Sequence, residues 1–232
     1  VQYVKIKDII IEQIAAGLLA PRQKLPSERQ LAESFNTTRV TLREALSLLE
    51  SEGAIYREDR RGWFISPPAL RYDVASENEF QELATQQGRQ AEMRFIRSTR
   101  KMADKHIAQM GKLPPFTDVQ CIERIGYLES RPVAFVMSYL HHPNTLNWKG
   151  VSATQSLTQQ LAEQFFVTCK VSKYQVKIGA LSGESAQHLY ATGGTPAVVV
   201  TRQYHDDQQQ FVRLDMEYWR HDAVIIEGIS PR

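Results

Sequence analysis

The stretch Ser27-Glu28-Arg29-Gln30-Leu31-Ala32-Glu33-Ser34-Phe35, continued by Asn36-Thr37-Thr38-Arg39-Val40-Thr41-Leu42-Arg43-Glu44-Ala45-Leu46 and running on to Gly53, decides the fold of the first part of the chain. Two helical patterns are separated by a polar turn too short to be a linker, so the second helix crosses tightly over the first, the geometry of a helix-turn-helix. Ser27 stands where its hydroxyl can cap the amides that open the first helix. Leu31, Phe35, Val40, Leu42, Leu46 and Leu49 are expected to supply the apolar side. Thr38, Arg39, Thr41 and Arg43 are left as a polar cluster at the start of the second helix, where a reader of the major groove needs its donors. This pattern points to sequence-specific binding of duplex DNA.

Upstream, Tyr3, Ile6, Ile9, Ile10, Ile14 and Leu18 form a helical stripe over residues 3–18, the third helix that a helix-turn-helix needs to close its core. Pro21 and Pro26 bracket an irregular connection that delivers the chain into the Ser27 cap. Downstream, strand-like runs on either side of Arg57-Glu58-Asp59-Arg60-Arg61-Gly62 predict a small hairpin. In a winged helix the tip of such a hairpin reaches toward the DNA backbone or minor groove, which places Arg60, Arg61 and Gly62 there. Trp63 and Phe64 are expected to anchor the hairpin to its domain.

At 232 residues and 42% hydrophobic, the chain can bury a sizeable core, and two are expected. A net charge of +2 says nothing by itself about nucleic acid, and Glu58 and Asp59 dilute the basic cluster, so local geometry has to carry the DNA reading. Cys121 and Cys169, far apart and outside any CxxC, are expected as reduced core thiols. With no signal peptide and no apolar run of membrane-spanning length, a soluble cytoplasmic protein is expected. The chain opens at Val1 without a methionine, so a few preceding residues are expected.

Pro67 and Pro68 break the pattern just after the hairpin, which sets residues 1–66 as the DNA-binding domain, 67–77 as a linker and 78–232 as a second domain. In that second part short helices are expected at 80–87, 104–110, 156–165 and 184–190. Strands are expected at 91–101, 118–127, 133–140, 170–181, 196–204 and 211–218. Strand pairs interspersed with short helices make an α+β domain around a mainly antiparallel sheet.

The runs Leu25-Pro26-Ser27-Glu28-Arg29-Gln30-Leu31-Ala32 and Thr38-Arg39-Val40-Thr41-Leu42-Arg43-Glu44-Ala45-Leu46, with Arg61-Gly62 in the wing, resemble the GntR family of bacterial transcriptional regulators over residues 3–66. The resemblance implies operator contacts from Arg29, Thr38, Arg39, Thr41, Arg43 and Gly62, and a homodimer on a palindromic operator. Residues 78–230 resemble the UTRA effector-binding domain of the HutC subfamily, which shares its fold with chorismate lyase. Its markers are Arg124, Pro132, Ser138-Tyr139-Leu140, Ser156-Leu157 and Tyr218-Trp219-Arg220-His221-Asp222, in that order.

That second resemblance implies a pocket for a small anionic effector, with Arg124 and the Ser156 turn on the anion. The chain departs from the family pattern at Gly126, where relatives often carry a second arginine, at Thr158 for tyrosine, at Val136 for glutamate, and at Phe211-Val212-Arg213. Thr158 remains a candidate for the effector site beside Ser156. Asn36-Thr37-Thr38-Arg39, the wing and residues 215–222 resemble the branch regulating use of 2-aminoethylphosphonate. Such a ligand needs a cationic or amide-rich site for its phosphonate, which Arg124 and Ser156 would supply, and a carboxylate for its ammonium, which Asp215 or Glu217 would supply. A structural salt bridge from either acid to Arg213 or Arg220 is the competing reading. Tyr218 and Trp219 are read as packing residues.

No cofactor is expected. An enzyme of chorismate-lyase-like fold would need an acid, base or nucleophile gathered in one pocket. His141-His142 reads instead as a surface turn, and His188 and His221 are isolated. A ligand-independent DNA-binding protein would not need a second domain with a pocket. A ligand-responsive regulator, acting as a repressor, is the reading that uses the whole chain.

Overall fold

The computed structural model describes residues 2–228. Val1 and residues 229–232, the extreme ends of the two expected domains, lie outside the described residues. The chain divides into two compact units, one comprising Val1–Leu70, Ala180–Pro196 and Arg220–Ile225, the other Arg71–Gly179, Ala197–Trp219 and Ile226–Arg232.

In the first unit, helices α1 (Gln2–Ala15), α2 (Glu28–Ser34) and α3 (Arg39–Ser51) are followed by the hairpin β1 (Ile55–Glu58) and β2 (Gly62–Ile65). Ser27 forms a full capping box: its hydroxyl accepts from the Gln30 amide while the Gln30 side chain accepts from the Ser27 amide. Thr38 caps α3 by accepting from the Thr41 amide at 3.2 Å. Ile6 and Ile10 of α1 pack with Leu31, Leu42, Leu46, Leu49, Ile55, Trp63 and Ile65 in one core. Leu42, Leu46 and Leu49 are completely buried, and each contributes about 1.5–3 kcal/mol relative to exposure. Val40 departs from the expectation that it belongs to this apolar side, because 69% of it is exposed.

The hairpin pairs Ile55 with Ile65, Tyr56 with Phe64, Arg57 with Trp63 and Glu58 with Gly62. The stretch before α2, expected as an irregular connection, runs along its edge. The Arg22 amide donates to Ile65, the Leu25 amide to Trp63, and Lys24 bridges Phe64. The unit also recruits distant chain: the short helix Gly183–His188 and the turn after Arg220. The Asp59 amide donates to the Tyr190 carbonyl, and Ser66 Oγ donates to Asp222.

The second unit is built on β4 (Ala91–Met102), β5 (Asp118–Leu128), β6 (Arg131–Leu140), β7 (Lys170–Ala180), β8 (Pro196–His205) and β9 (Phe211–Arg220). Their order is β4-β5-β6-β9-β8-β7. β5 pairs antiparallel with β4 and β6, and β6 antiparallel with β9. Edge strand β4 carries an irregularity between Phe95 and Arg97, which shifts its register against β5. A short strand, β3 (Leu70–Tyr72), pairs with β10 (Val224–Ile226); neither was predicted. With a helix-turn-helix region followed by a mixed, largely antiparallel sheet domain, the fold class matches the expectation.

Helices α4 (Phe80–Gln86), α5 (Lys105–Gly111) and α6 (Leu157–Phe165) belong to this unit. Ile107 of α5 packs with Val119, Cys121 and Tyr139, whereas Leu157 and Leu161 of α6 pack with Ile122 and Leu140. Consecutive strand residues Cys121 and Ile122 point to opposite faces, so the two helices cover the two sides of the sheet. Cys121 and Cys169 are buried free thiols. Among the described residues no helix is long and apolar enough to cross a membrane.

Candidate functional site

A cleft of about 620 Å³ opens between the wing, the start of α2 and the start of α3. Arg29, Arg39, Arg60, Arg61 and Gly62 all line it, together with Lys24 and Arg57, which sequence reasoning had not assigned to DNA. The local structure dictates their placement. The capping box fixes the first turn of α2, from which Arg29 projects and pairs loosely with Glu33 at 3.0 Å, both largely exposed. The Thr38 cap fixes the first turn of α3, where Thr38 and Thr41 join hydroxyls at 3.0 Å. Arg39 is exposed and makes no hydrogen bond or ion pair with any described residue.

Arg43 lies outside the cleft's lining and is held from the side. Its Nε donates to Glu28 at 2.7 Å, and the Trp63 indole donates to the other oxygen of the same carboxylate. Partial burial pushes the Glu28 carboxyl up, but Arg43 and Trp63 outweigh it and hold it below the usual carboxylate range. Glu28 thus ties the recognition helix to the wing through one carboxylate.

At the wing tip Arg60 adopts a left-handed backbone with φ 58° and its side chain is 93% exposed. Gly62 follows at φ 102°, a conformation side chains rarely adopt, and an added Cβ there would meet Lys24 at 3.4 Å. Arg61 pairs with Glu58 at 2.6 Å. Beneath the wing Arg220, 1% exposed, donates to the carbonyls of Leu189 and Arg57 and lies 5.6 Å from the Tyr56 ring centre. The hairpin that presents the tip is therefore braced at Arg57 by a residue far away in sequence.

The second unit holds a small cavity of about 30 Å³ on the sheet face beneath α4 and the start of α6. Strand register explains its charged floor. Arg124 pairs with Val136 and Val136 with Glu217, which puts these residues in one cross-strand row; Ser138 pairs with Asp215 in the next. Of the sequence candidates, Arg124, Ser156, Asp215 and Glu217 line the cavity, joined by Tyr72, Arg202 and Trp219. Trp219, expected only to pack, donates to Glu217 at 2.8 Å.

The acids have committed partners. Glu217 also accepts from Tyr72 at 2.8 Å and from Arg202 at 3.1 Å, so it is paired with neither Arg213 nor Arg220. Asp215 faces Arg213 at 3.3 Å, as the competing reading held. Burial and the neighbouring Glu217 push the Tyr72 hydroxyl well above its usual value, which keeps it a neutral donor.

Ser156 caps α6 through the Gln159 amide. The amides of Leu157 and Thr158 and the Thr158 hydroxyl instead donate to Glu79, at 3.1, 3.1 and 2.8 Å. Arg213 reaches the same carboxylate at 3.3 Å and Arg124 lies 4.0 Å away. Burial pushes Glu79 up, but Arg213, Arg124 and Thr158 overcome that and hold it down at about 2. Sequence reasoning did not find Glu79, which sits in a polar stretch with no local signal. Arg202 had one: it follows Val198-Val199-Val200-Thr201, a charge inside a strongly apolar strand. Gly126 is explained by the Phe80 ring and the Met93 sulfur, which a Cβ would meet at 3.2–3.3 Å.

The family model described as bacterial regulatory proteins, gntR family, matches residues 2–65, and that of the UTRA domain matches residues 86–225. The HTH-type transcriptional regulator YihL of Escherichia coli (strain K12) is 31% identical over 209 residues, 90% of this chain and 89% of that protein. The HTH-type transcriptional repressor NagR of Bacillus subtilis (strain 168) is 27% identical over 205 residues, covering 86% and 82%. Among solved structures, PhnF from Mycobacterium smegmatis superposes with a TM-score of 0.62 at 19% identity, covering 97% of this chain and 99% of that one.

Proposed function

The chain belongs to the GntR family of bacterial regulatory proteins and carries a UTRA domain, and from that premise we propose a cytoplasmic repressor that binds a palindromic operator as a homodimer and is released by a small anionic effector. As a member of this family it is a DNA-binding transcriptional regulator and not an enzyme. Residues 1–66 bind DNA, 67–77 link, and 78–232 bind the effector and form the dimer. The observation that carries the DNA half is the cleft that gathers Arg29, Arg39, Arg60 and Arg61 around two helix starts and a wing.

Arg39, Thr38, Thr41 and Arg43 enter the major groove. Arg60, Arg61 and the Gly62 backbone meet phosphates or the minor groove, and Arg29 meets a phosphate. Val40, apolar yet exposed within this polar turn, supplies the contact a thymine methyl requires. The effector lies against Arg124, the Ser156 turn and Thr158, with Asp215 for an ammonium; Glu217, already fully bonded, orders the cavity floor. Phosphonates such as 2-aminoethylphosphonate carry both charges this arrangement takes. Release follows only if the effector prefers the form that does not bind DNA.

Selection of random duplex DNA by the purified protein, with and without millimolar 2-aminoethylphosphonate, tests this. A palindrome enriched only without the compound is the expected result. A palindrome unaffected by it overturns the phosphonate assignment, and the absence of any enriched motif overturns the DNA reading.

A further inference from the structure

Glu79 occupies the N-cap position of α4, yet its side chain makes no cap bond to that helix. Its carboxylate is used on another helix, accepting from the first amides of α6, from the Thr158 hydroxyl and from Arg213. These donors are the kind an anionic ligand would seek, since free amides at a helix start favour negative charge. The carboxylate does not exhaust them. Arg124, 4% exposed and lining the cavity, has an Nε with no hydrogen-bond partner, and fully buried Arg213, whose Nε lies 3.3 Å from Asp215, has an Nη1 with no hydrogen-bond partner. Such groups are costly to leave unpaired. A planar carboxylate has two oxygens for this set, whereas a phosphate or phosphonate offers three around a tetrahedral centre.

We propose that Glu79 is a built-in surrogate for the effector's anion: its carboxylate holds the start of α6 in the ligand-free protein, and a tetrahedral oxyanion takes its place on the same donors. This rests on reading the cavity as the effector site. Both groups need the same donors, so binding expels the Glu79 side chain and with it the first turn of α4. The chain runs back from that turn through residues 73–78, so the exchange moves the end of the segment that leads to the helix-turn-helix. The exchange also makes the effector's apparent affinity weaker than its intrinsic one, because the internal carboxylate must first be displaced.

Titration of the wild-type chain, Glu79→Ala and Glu79→Gln with sodium phosphate, by calorimetry at constant pH and ionic strength, tests the exchange. Glu79→Ala is expected to bind phosphate at least about tenfold more tightly than wild type. Its melting temperature should rise in sodium acetate beyond the rise in sodium chloride. Glu79→Gln, which keeps the shape and loses the charge, is expected to shift in the same direction and serves if Glu79→Ala does not fold. Equal affinities in wild type and variants overturn the surrogate role while leaving an anion site in place. Failure of all three proteins to bind phosphate overturns the anion site itself.

Discussion

Replacing Glu79 by glutamine should remove a stability term that depends on pH in a specified way. The carboxylate stands at about 2 in the folded chain against an ordinary 4.5, and at roughly 1.4 kcal/mol per pK unit this is about 3 kcal/mol at neutral pH. The folded value lies below the unfolded one. The contribution is therefore complete above about pH 4.5 and disappears as pH falls through about 2. Glutamine keeps one acceptor but turns an amide group toward the α6 amides, so it recovers only part of that bonding. Urea unfolding should show Glu79→Gln less stable by about 2–3 kcal/mol at pH 7, with the gap closing progressively between about pH 5 and pH 2. A Trp63→Phe background leaves Trp148 and Trp219, both in the second unit, as the fluorescence reporters. A gap below about 1 kcal/mol at pH 7, or one that does not change with pH, would refute the argument that Arg213 and the α6 amides hold this carboxylate.

Further outcomes follow from the DNA face and the unit that carries it. If Arg60 meets a phosphate, Arg60→Ala should weaken operator and random DNA equally and reduce the slope of log affinity against log salt by about 1; a sequence-dependent loss would instead place it in the minor groove. Replacing each operator thymine in turn by uracil should identify a position where loss of the methyl weakens wild-type binding but leaves Val40→Ala unaffected, and the absence of such a position removes Val40 from base reading. Arg220→Met should destabilise the protein by about 2–3 kcal/mol in urea unfolding, since the Leu189 and Arg57 carbonyls lose a buried charged donor; a loss within about 0.5 kcal/mol would show that the brace is dispensable. Gly126→Arg should lower the melting temperature by displacing Phe80 from over the strand, and an unchanged melting temperature would show that the space is not required.

Legibility in the sequence tracks how local the physics is. The Ser27 capping box and the Thr38 cap were readable because each closes within one turn of its own helix. The hairpin was readable because its strands are joined by a short charged turn. Val40 was misassigned for a definite reason. It lies two residues from Leu42, about 200° round the helix, so an apolar side chain there belongs to the opposite face. In a helix that reads DNA, that face also has use for an apolar group. Apolar character predicts burial only when nothing but water competes for the side chain, and the thymine methyl proposed as the contact of Val40 would be such a competitor.

The candidate effector site shows the converse. Arg124 and the Ser156 turn were found through the family resemblance, because each stands in a short run of residues that carries it. Glu79, Tyr72 and Arg202 left little or no mark, since what defines each is a partner far along the chain: Thr158 for Glu79, and Glu217 for both Tyr72 and Arg202. Arg213 was noticed as a departure from a family pattern and as a salt-bridge partner for Asp215 or Glu217, and the structure pairs it with Asp215. Its buried guanidinium stacks 3.7 Å over the Tyr204 ring and needs negative charge, which Asp215 and Glu79 supply. The two residues belong together. With arginine at 213 and no acid at 79, the ligand-free cavity would hold an excess of buried positive charge against α6. An acid at 79 neutralises it until an effector arrives, and the same reasoning predicts that Arg213→Met should reduce the benefit of Glu79 at pH 7, so that the double variant with Glu79→Gln loses less stability than the two single losses added together.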